Sequence, residues 1–315
     1  MSADDAPSFS VVVPAYDRPA PVRRCVAGLG RLDWPAERLE AVVVDDGSPV
    51  PLDAAALRAE APGLDLRVVR QENAGPAAAR NRGAAEARHR FLAFTDDDCV
   101  PRGDWLRRFA EVVEERPDAM VGGSFVNATP ENPAAVASHL VTELFYERGL
   151  RLGGGASGGD GPGSGPDGAW LFVTANLCVP REAFLAVGGF DEAFPLPAGE
   201  DFDFCHRFQH AGHPAVYRPG AAVDHAHPMT LRRFWRQHRN YGGGSLRFRV
   251  RASERRGAAA TAGVGGFQAE LVRRALLRVR RPRHVLEGAY VALSQFAAVA
   301  GAAAEARRIR AERRG

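Results

Sequence analysis

Short apolar runs rich in β-branched residues, each broken by a proline or an acidic turn, constrain this chain more than any other feature. Residues 9–13 (Phe-Ser-Val-Val-Val) stop at Pro14. Residues 41–44 stop at Asp45-Asp46-Gly47-Ser48, and residues 91–94 stop at Thr95-Asp96-Asp97-Asp98. Runs of this kind read as strands buried on both faces. Residues 66–69 add another. Between them the apolar spacing turns helical: Val22, Cys25, Val26 and Leu29 within residues 21–32, then residues 53–60, 76–88 and 104–115. Pro76, just after Asn73-Ala74-Gly75, suits a first helical position. Strands alternating with helices predict an α/β fold with a mostly parallel central sheet flanked by helices. Ligands of such sheets bind beyond the carboxyl ends of the strands. The loops at 14–18, 45–48 and 95–98 are therefore expected to meet in one crevice.

The second half is less regular. Residues 149–168 are mostly Gly with Ser, Asp and Pro and carry no apolar period, so a flexible loop is expected. A strand is expected at 170–173, before Thr174-Ala175-Asn176. Helices are expected over 181–187, 201–211 and 230–241, and extended chain at 216–217. Residues 249–266 read as a linker. The division that follows is a catalytic domain over 1–242, then a linker and an Arg-flanked helical C-terminal tail over 243–315. A chain of 315 residues, 45% hydrophobic and 25% charged, can fill such a core, and disorder is not expected. The net charge of +3 gives no reason to expect nucleic acid as a partner. Cys25, Cys99, Cys178 and Cys205 show no C-x-x-C spacing, which argues against zinc ribbons and thioredoxin chemistry. The acidic stretch over 1–8 does not read as a signal peptide, so a cytoplasmic setting is expected.

Asp96-Asp97-Asp98 directly follows a strand. Three adjacent carboxylates repel one another unless a cation or solvent compensates. Residues two apart in extended chain point the same way, so Asp96 and Asp98 can face one ion. The competing reading is a cluster capping the helix over 104–115. Asp45-Asp46 can accept hydrogen bonds from a nucleobase or ribose, or merely shape an Asx turn. Glu200-Asp201 opens a helix, where the dipole favours anions. It can supply a general base or act as a plain cap.

Taken in order, the pieces resemble the family 2 glycosyltransferases. They are Val11-Val12-Val13-Pro14-Ala15-Tyr16, Val44-Asp45-Asp46-Gly47-Ser48, Asn73-Ala74-Gly75 with Ala79-Arg80-Asn81-Arg82-Gly83, and Phe94-Thr95-Asp96-Asp97-Asp98. Then come Thr174-Ala175-Asn176, Gly188-Gly189-Phe190-Asp191-Glu192, Glu200-Asp201-Phe202-Asp203-Phe204 and Val223-Asp224-His225. The resemblance runs over residues 9–242. It implies the GT-A fold, with a Rossmann-like nucleotide-binding half and an acceptor half. It implies an inverting, hexosyltransferase-like enzyme that uses Mn2+ or Mg2+. The donor would be a UDP-, GDP- or dTDP-sugar, and the acceptor a hydroxyl on a glycan, a lipid-linked compound or a small molecule.

The roles it implies are specific. Pro14 and Tyr16 would line the donor site, with Tyr16 against the base. Asp46 would bind the base with Asp45 beside it, and Arg80 would contact the nucleotide. Asp96 would face the ribose and the metal. Either Asp97 or Asp98 would be the principal metal ligand, with Asp98 at the end of the family's D-x-D motif. His225 would complete the metal shell or touch the diphosphate, and His227 could substitute for it. Asp201 would be the base with Glu200 supporting it. Gly188, Gly189 and Phe190 would form the acceptor loop. Gln237-His238-Arg239-Asn240-Tyr241 resembles the Q-x-x-R-W motif of processive relatives, but Asn240 and Tyr241 depart from it, which argues against a polymer synthase.

Other readings fare worse. A sugar-1-phosphate nucleotidyltransferase would need a Gly-rich basic loop after the first strand, where this chain has Pro14-Ala15-Tyr16-Asp17-Arg18. A noncatalytic nucleotide-sugar-binding or scaffold protein would have no use for the full set of acids. No G-x-G-x-x-G follows a strand, which removes a dinucleotide dehydrogenase. Residues 285–304 approach the roughly 20 residues that span a bilayer. They are Ala-rich, contain Glu287, Ser294 and Gln295, and are flanked by Arg280, Arg281, Arg283, Arg307, Arg308 and Arg310. That pattern suits a helix packed on the catalytic domain or on a second subunit, or one lying at a membrane interface. Peripheral contact with the inner face of the cell membrane, or a homodimer, is the partner expectation.

Overall fold

Strands β1 (Phe9–Ala15) and β2 (Leu39–Asp46) are buried almost throughout. The reason is visible in their alternation. Val11, Val13, Ala41 and Val43 enter a core with Val22, Cys25 and Val26 of helix α1 (Pro19–Leu29). Val42 and Val44 face the other way, against Ala79 of helix α3 (Pro76–Glu86). A run with helices on both faces has no polar side, so it loses the period of two. Gly83 lets α3 approach closely, because a Cβ there would lie 2.3 Å from Val12 Cγ1. The computed structural model describes residues 6–152, 170–194, 197–256, 271, 273 and 282–314.

The described strands form an eight-stranded sheet in the order β3-β2-β1-β4-β7-β6-β8-β5. Strand β3 (Asp65–Gln71), β2, β1 and β4 (Phe91–Thr95) are all parallel. Helix α2 (Ala54–Glu60) links β2 to β3 and is capped by Asp53, whose side chain accepts from Ala55 and Ala56 N–H groups. Beyond β4 the directions mix. Strand β7 (Asn176–Pro180) runs antiparallel to both β4 and β6 (Met120–Asn127). Strand β8 (Ala215–His225) runs parallel to β6 and antiparallel to the short β5 (Cys99–Pro101). The α/β architecture holds, with unbroken parallel order over β3, β2, β1 and β4 and one further parallel pair, β6 with β8. Burial on both faces leaves the same apolar run in a strand of either direction.

Residues 170–173 are not a strand. Trp170, Leu171 and Phe172 are apolar because they sit in a core of stacked rings with Tyr146 and Tyr217. Their backbone is satisfied by side chains: Gln209 Oε1 accepts from Trp170 N–H, and Tyr146 Oη accepts from Val173 N–H. The strand lies a few residues on, and its first residue, Asn176, is a clip. Its amide donates to the Ser124 and Ala221 carbonyls and accepts from Trp105 Nε1 of helix α4 (Trp105–Val113). Asn176 thus fastens β6, β7, β8 and α4 together.

Helix α5 (Pro133–Leu152) was not foreseen. It covers the start of the expected 149–168 loop, and residues 153–168 lie outside the described residues. Helices α6 (Arg181–Ala186) and α7 (Glu200–His210) follow the expected positions. Helix α8 (Leu231–Arg256) runs straight through 249–256, which corrects the linker reading for those residues. Residues 257–266 lie outside the described residues.

Helix α9 (Pro282–Glu312) packs along α8. The two backbones nearly touch. A Cβ on Gly242 would lie 1.9 Å from Ala298 O, and one on Gly301 would lie 1.8 Å from Arg239 O. Buried Arg247 pairs with Glu305 and Glu312 across the seam. Phe234, Val291 and Leu144 form a small core where α8, α9 and α5 meet. The opposite side of α9 is exposed and apolar, with Val285 and Leu286 near its start and Phe296 and Val299 each 70% exposed. By length and composition His284–Glu312 could cross a membrane.

Candidate active site

The three loops after β1, β2 and β4 do meet. Asp17 N–H donates to Ser48 Oγ at 2.9 Å, joining the first two. Arg18 crosses to the third, with Nη1 2.6 Å from Asp97 Oδ1 and Nη2 2.8 Å from Asp98 Oδ2. Pairing of Cys99 with His225 in the β5–β8 ladder brings the end of β8 beside the acidic turn. His225 Nε2 then lies 3.3 Å from Asp98 Oδ1, and His227 Nδ1 lies 2.9 Å from Asp98 Oδ2. β5 stands between the acids and α4, so these carboxylates do not cap that helix.

The two neighbouring acids differ in environment. Burial pushes Asp97 up to about 7, and Arg18 offsets only part of that. Burial pushes Asp98 up as well, but hydrogen bonds from His225 and His227 outweigh it and hold Asp98 well below the usual carboxylate range. Asp98 is thus the ionised member and carries both histidines. Burial lowers His225, but Asp98 more than compensates and its net shift is upward. Asp98, Cys99 and His225 also group closely enough to share an ion. Burial raises the Cys99 thiol well above its ordinary value, so it offers no thiolate. One carboxylate oxygen with one or two imidazole nitrogens is a donor set that suits a borderline-hard divalent cation such as manganese.

Arg80 lies beneath this cluster and is 5% exposed. Its Nη2 is 2.7 Å from Asp96 Oδ1 and its Nη1 is 3.3 Å from Glu200 Oε1. The guanidinium is a strut between the end of β4 and the start of α7. Arg80, expected to contact the nucleotide, is here buried and held at both ends.

Glu200 and Asp201 begin α7 after Gly199, whose φ of +93° favours glycine. A Cβ at Gly199 would also lie 2.6 Å from Gly244 O, so glycine seats α7 directly on α8. Glu200 is 5% exposed and its Oε2 has no hydrogen-bond partner among the described residues. Burial raises Glu200 above its ordinary value. Asp201 is partly exposed. Burial, and then the Glu200 charge, push it up to about 7. A carboxylate poised near neutrality at a crevice mouth is suited to proton transfer.

Asp45 and Asp46 are both engaged by other groups of the protein. The Asp45 carboxylate accepts from Ser48 and Leu52 N–H groups and from Arg70. Asp46 accepts from Gln71, Ala74 N–H and Gly75 N–H, which folds the turn before α3. The Asx-turn reading describes Asp45, whereas Asp46 reaches across to the turn before α3. Pro14 is half-buried within β1, while Tyr16 is 48% exposed on the loop that follows.

The loop at 188–190 is rigid. Gly188 and Gly189 have φ of +88° and +62°. Asn81 brackets Phe190, accepting from its N–H and donating to its carbonyl, each at 2.9 Å. The Phe190 ring packs on Phe94, Phe184 and Phe204 and is 2% exposed. Phe190, expected in the acceptor loop, anchors that loop from inside.

Two residues at the site escaped the sequence reading. Arg18 carried one signal, a cation just past the end of the first strand. Gln237 on α8 links His227 Nε2, 2.7 Å from its Oε1, to Tyr241 Oη, 2.7 Å from its Nε2. The Gln and Tyr of the Q-x-x-R-W-like segment thus adjoin the Asp98 cluster.

Comparison with known proteins bears on this arrangement. Residues 10–165 match the family described as Glycosyl transferase family 2, and residues 91–302 match Glycosyl transferase family group 2. The pre-mycofactocin glycosyltransferase of Mycobacterium tuberculosis is 33% identical over 236 residues, covering 73% of this chain and 47% of that protein. The validoxylamine A glucosyltransferase of Streptomyces hygroscopicus is 32% identical over 240 residues, covering 71% and 57%. The chain thus spans about half the length of the curated relatives it matches. Among solved structures, the mannosyltransferase PcManGT from Pyrobaculum calidifontis, in complex with GDP-Man and Mn2+, superposes with a TM-score of 0.60 at 19% identity, covering 94% of this chain and 88% of that one. S. aureus TarS 1–349 in complex with UDP-GlcNAc gives 0.56 at 16% identity, covering 91% and 81%. At these identities the structural likeness is one of fold.

Proposed function

The chain belongs to the family 2 glycosyltransferases and has their GT-A fold, and from that premise we propose that it transfers a sugar from a nucleotide-diphosphate sugar to a hydroxyl acceptor with inversion. One observation carries the reading: Asp98 meets His225 and His227, and Arg80 ties the same acidic turn, through Asp96, to Glu200 beside Asp201. Asp98, His225 and Asp96 are the residues that would hold Mn2+ or Mg2+. When bound, the cation supplies positive charge against the departing diphosphate. The chain does the rest. Tyr16 and the loops shaped by Asp45 and Asp46 border the base and ribose. Asp201 takes the acceptor hydroxyl proton, with Glu200 keeping its basicity near neutrality. Arg80 holds the base side and the donor side in fixed relation, so donor and acceptor meet in line. PcManGT with GDP-Man and Mn2+ supports the donor class and the metal by analogy of fold.

The test is donor turnover. UDP-, GDP- and dTDP-sugars are incubated with the protein, with Mn2+ or with excess chelator, and nucleoside diphosphate release is measured. At least one donor should turn over, and only with the metal. Release from no donor would favour the noncatalytic, sugar-nucleotide-binding reading. Equal release in chelator would remove the metal.

We further propose a cytoplasmic protein that rests against the inner face of the membrane through α9. Its outward stripe of Val285, Phe296 and Val299 is followed by Arg307, Arg308 and Arg310, a pairing that suits an anionic lipid surface. Phe296→Glu should cut sedimentation with phosphatidylglycerol vesicles several-fold while the protein stays folded. Unchanged sedimentation would end this proposal, and a concentration-dependent dimer abolished by the same change would replace the membrane with a second copy.

A further inference from the structure

Arg18 sits at the junction of the β1 loop and α1, with φ −138° just before the helix. Its guanidinium spans two acids on another loop, 2.6 Å from Asp97 Oδ1 and 2.8 Å from Asp98 Oδ2. The Asp98 carboxylate therefore gathers groups from three elements: Arg18 and His227 on Oδ2, and His225 on Oδ1. Arg233 on α8 lies within electrostatic reach of the same acids and of Arg18. Cationic and N–H groups are thus crowded onto one ionised carboxylate.

A divalent cation seated on Asp98 needs one of those oxygens. A guanidinium on the same carboxylate would then face two positive charges at contact distance, and the pair cannot both stay. His225 is held in β8 and His227 by Gln237, whereas Arg18 stands on the loop before α1. Arg18 is the group free to leave. Its planar fork matches two phosphate oxygens better than an ammonium would. A diphosphate bridged to that cation would lie beside the loop from which Arg18 projects.

We propose that Arg18 is an exchanging ligand: it bridges Asp97 and Asp98 until a divalent cation displaces it, and then it binds the diphosphate of the donor. The inference rests on the sugar-nucleotide and metal reading above. It predicts opposite signs for two affinities, which a merely structural strut would not give. Losing a competitor should tighten binding of the cation, and losing a phosphate ligand should weaken binding of the nucleotide.

The experiment is calorimetry on the full chain, wild type and Arg18→Gln, with thermal unfolding as a check on folding. Mn2+ alone is titrated first, then UDP, GDP and dTDP in turn at saturating Mn2+. Arg18→Gln should bind Mn2+ about tenfold more tightly and the preferred nucleotide about tenfold more weakly, the scale of one charge-assisted hydrogen bond. Arg18→Lys, which keeps the charge without the fork, should fall between on both. Mn2+ binding that is unchanged or weaker in Arg18→Gln, or nucleotide binding that is unchanged, overturns the exchange and leaves the metal reading standing. A wild type that binds no Mn2+ overturns both.

Discussion

Asp201→Asn is expected to lower turnover by about a hundred- to ten-thousandfold, the usual cost of losing a general base. The change keeps shape and removes the carboxylate. Asp201 opens α7, partly exposed, next to the buried Glu200. Donor affinity should barely move, because the base acts on the acceptor hydroxyl and not on the diphosphate. The pH dependence follows from the direction of the shift. Asp201 is active as the anion, and burial with Glu200 pushes it up to about 7. Activity should therefore fall as pH drops through about 7, well above the range of an ordinary carboxylate, and the residual activity of Asp201→Asn should lack that limb. Single displacement also fixes the product. Proton NMR of the new glycosidic linkage should show the anomeric configuration opposite to the donor's. Near-normal turnover in the variant, or a retained configuration, would remove Asp201 from the proposed role.

Much of the N-terminal half was legible because local pattern and global fold agree there. Residues 9–13, 41–44 and 91–94 are apolar on both faces because helices cover both faces, and the acids that follow them lie at strand ends. Direction was not legible in the C-terminal half, where β7 runs against β4 and β6. Residues 170–173 misled because an aromatic core and a buried strand draw on the same side chains. Helix α5 was missed, and α8 was read too short because Gly242-Gly243-Gly244 interrupts its helical pattern. The apolar tail was read correctly as a helix, one face of which packs on α8.

The site shows the same division. Asp98, His225, Glu200 and Asp201 could be named from spacing and resemblance, and the structure brings the first two together and the last two to one helix start. What spacing could not show was which groups face inward. Phe190 belongs to the core, Arg80 is a strut, and Asp45 and Asp46 hold turns. Arg18 acts through partners about eighty positions away in sequence, so no local pattern marks it, whereas Gln237 stood in the Q-x-x-R-W-like segment without a role until His227 was placed beside it. Spacing does not separate Asp97 from Asp98, which share one acidic run, and in the structure only Asp98 meets the histidines.

The second large effect is expected at Asp98. Asp98→Ala removes the one carboxylate that two histidines and Arg18 converge on. Losing groups that only orient a metal ligand already costs about 10- to 100-fold in metal affinity, so losing the ligand itself should cost at least that much. Asp97→Asn should cost less, because Asp97 faces Arg18 and neither histidine. In the proposed mechanism the ends of β4 and β8 hold a cation that carries the donor diphosphate. Calorimetry of the preferred nucleotide diphosphate, in Mn2+ and again in excess chelator, tests it most directly. The wild type should lose most of its affinity on chelation, and Asp98→Ala should bind weakly and equally in both. Wild-type affinity that is the same in chelator as in Mn2+ would contradict the account.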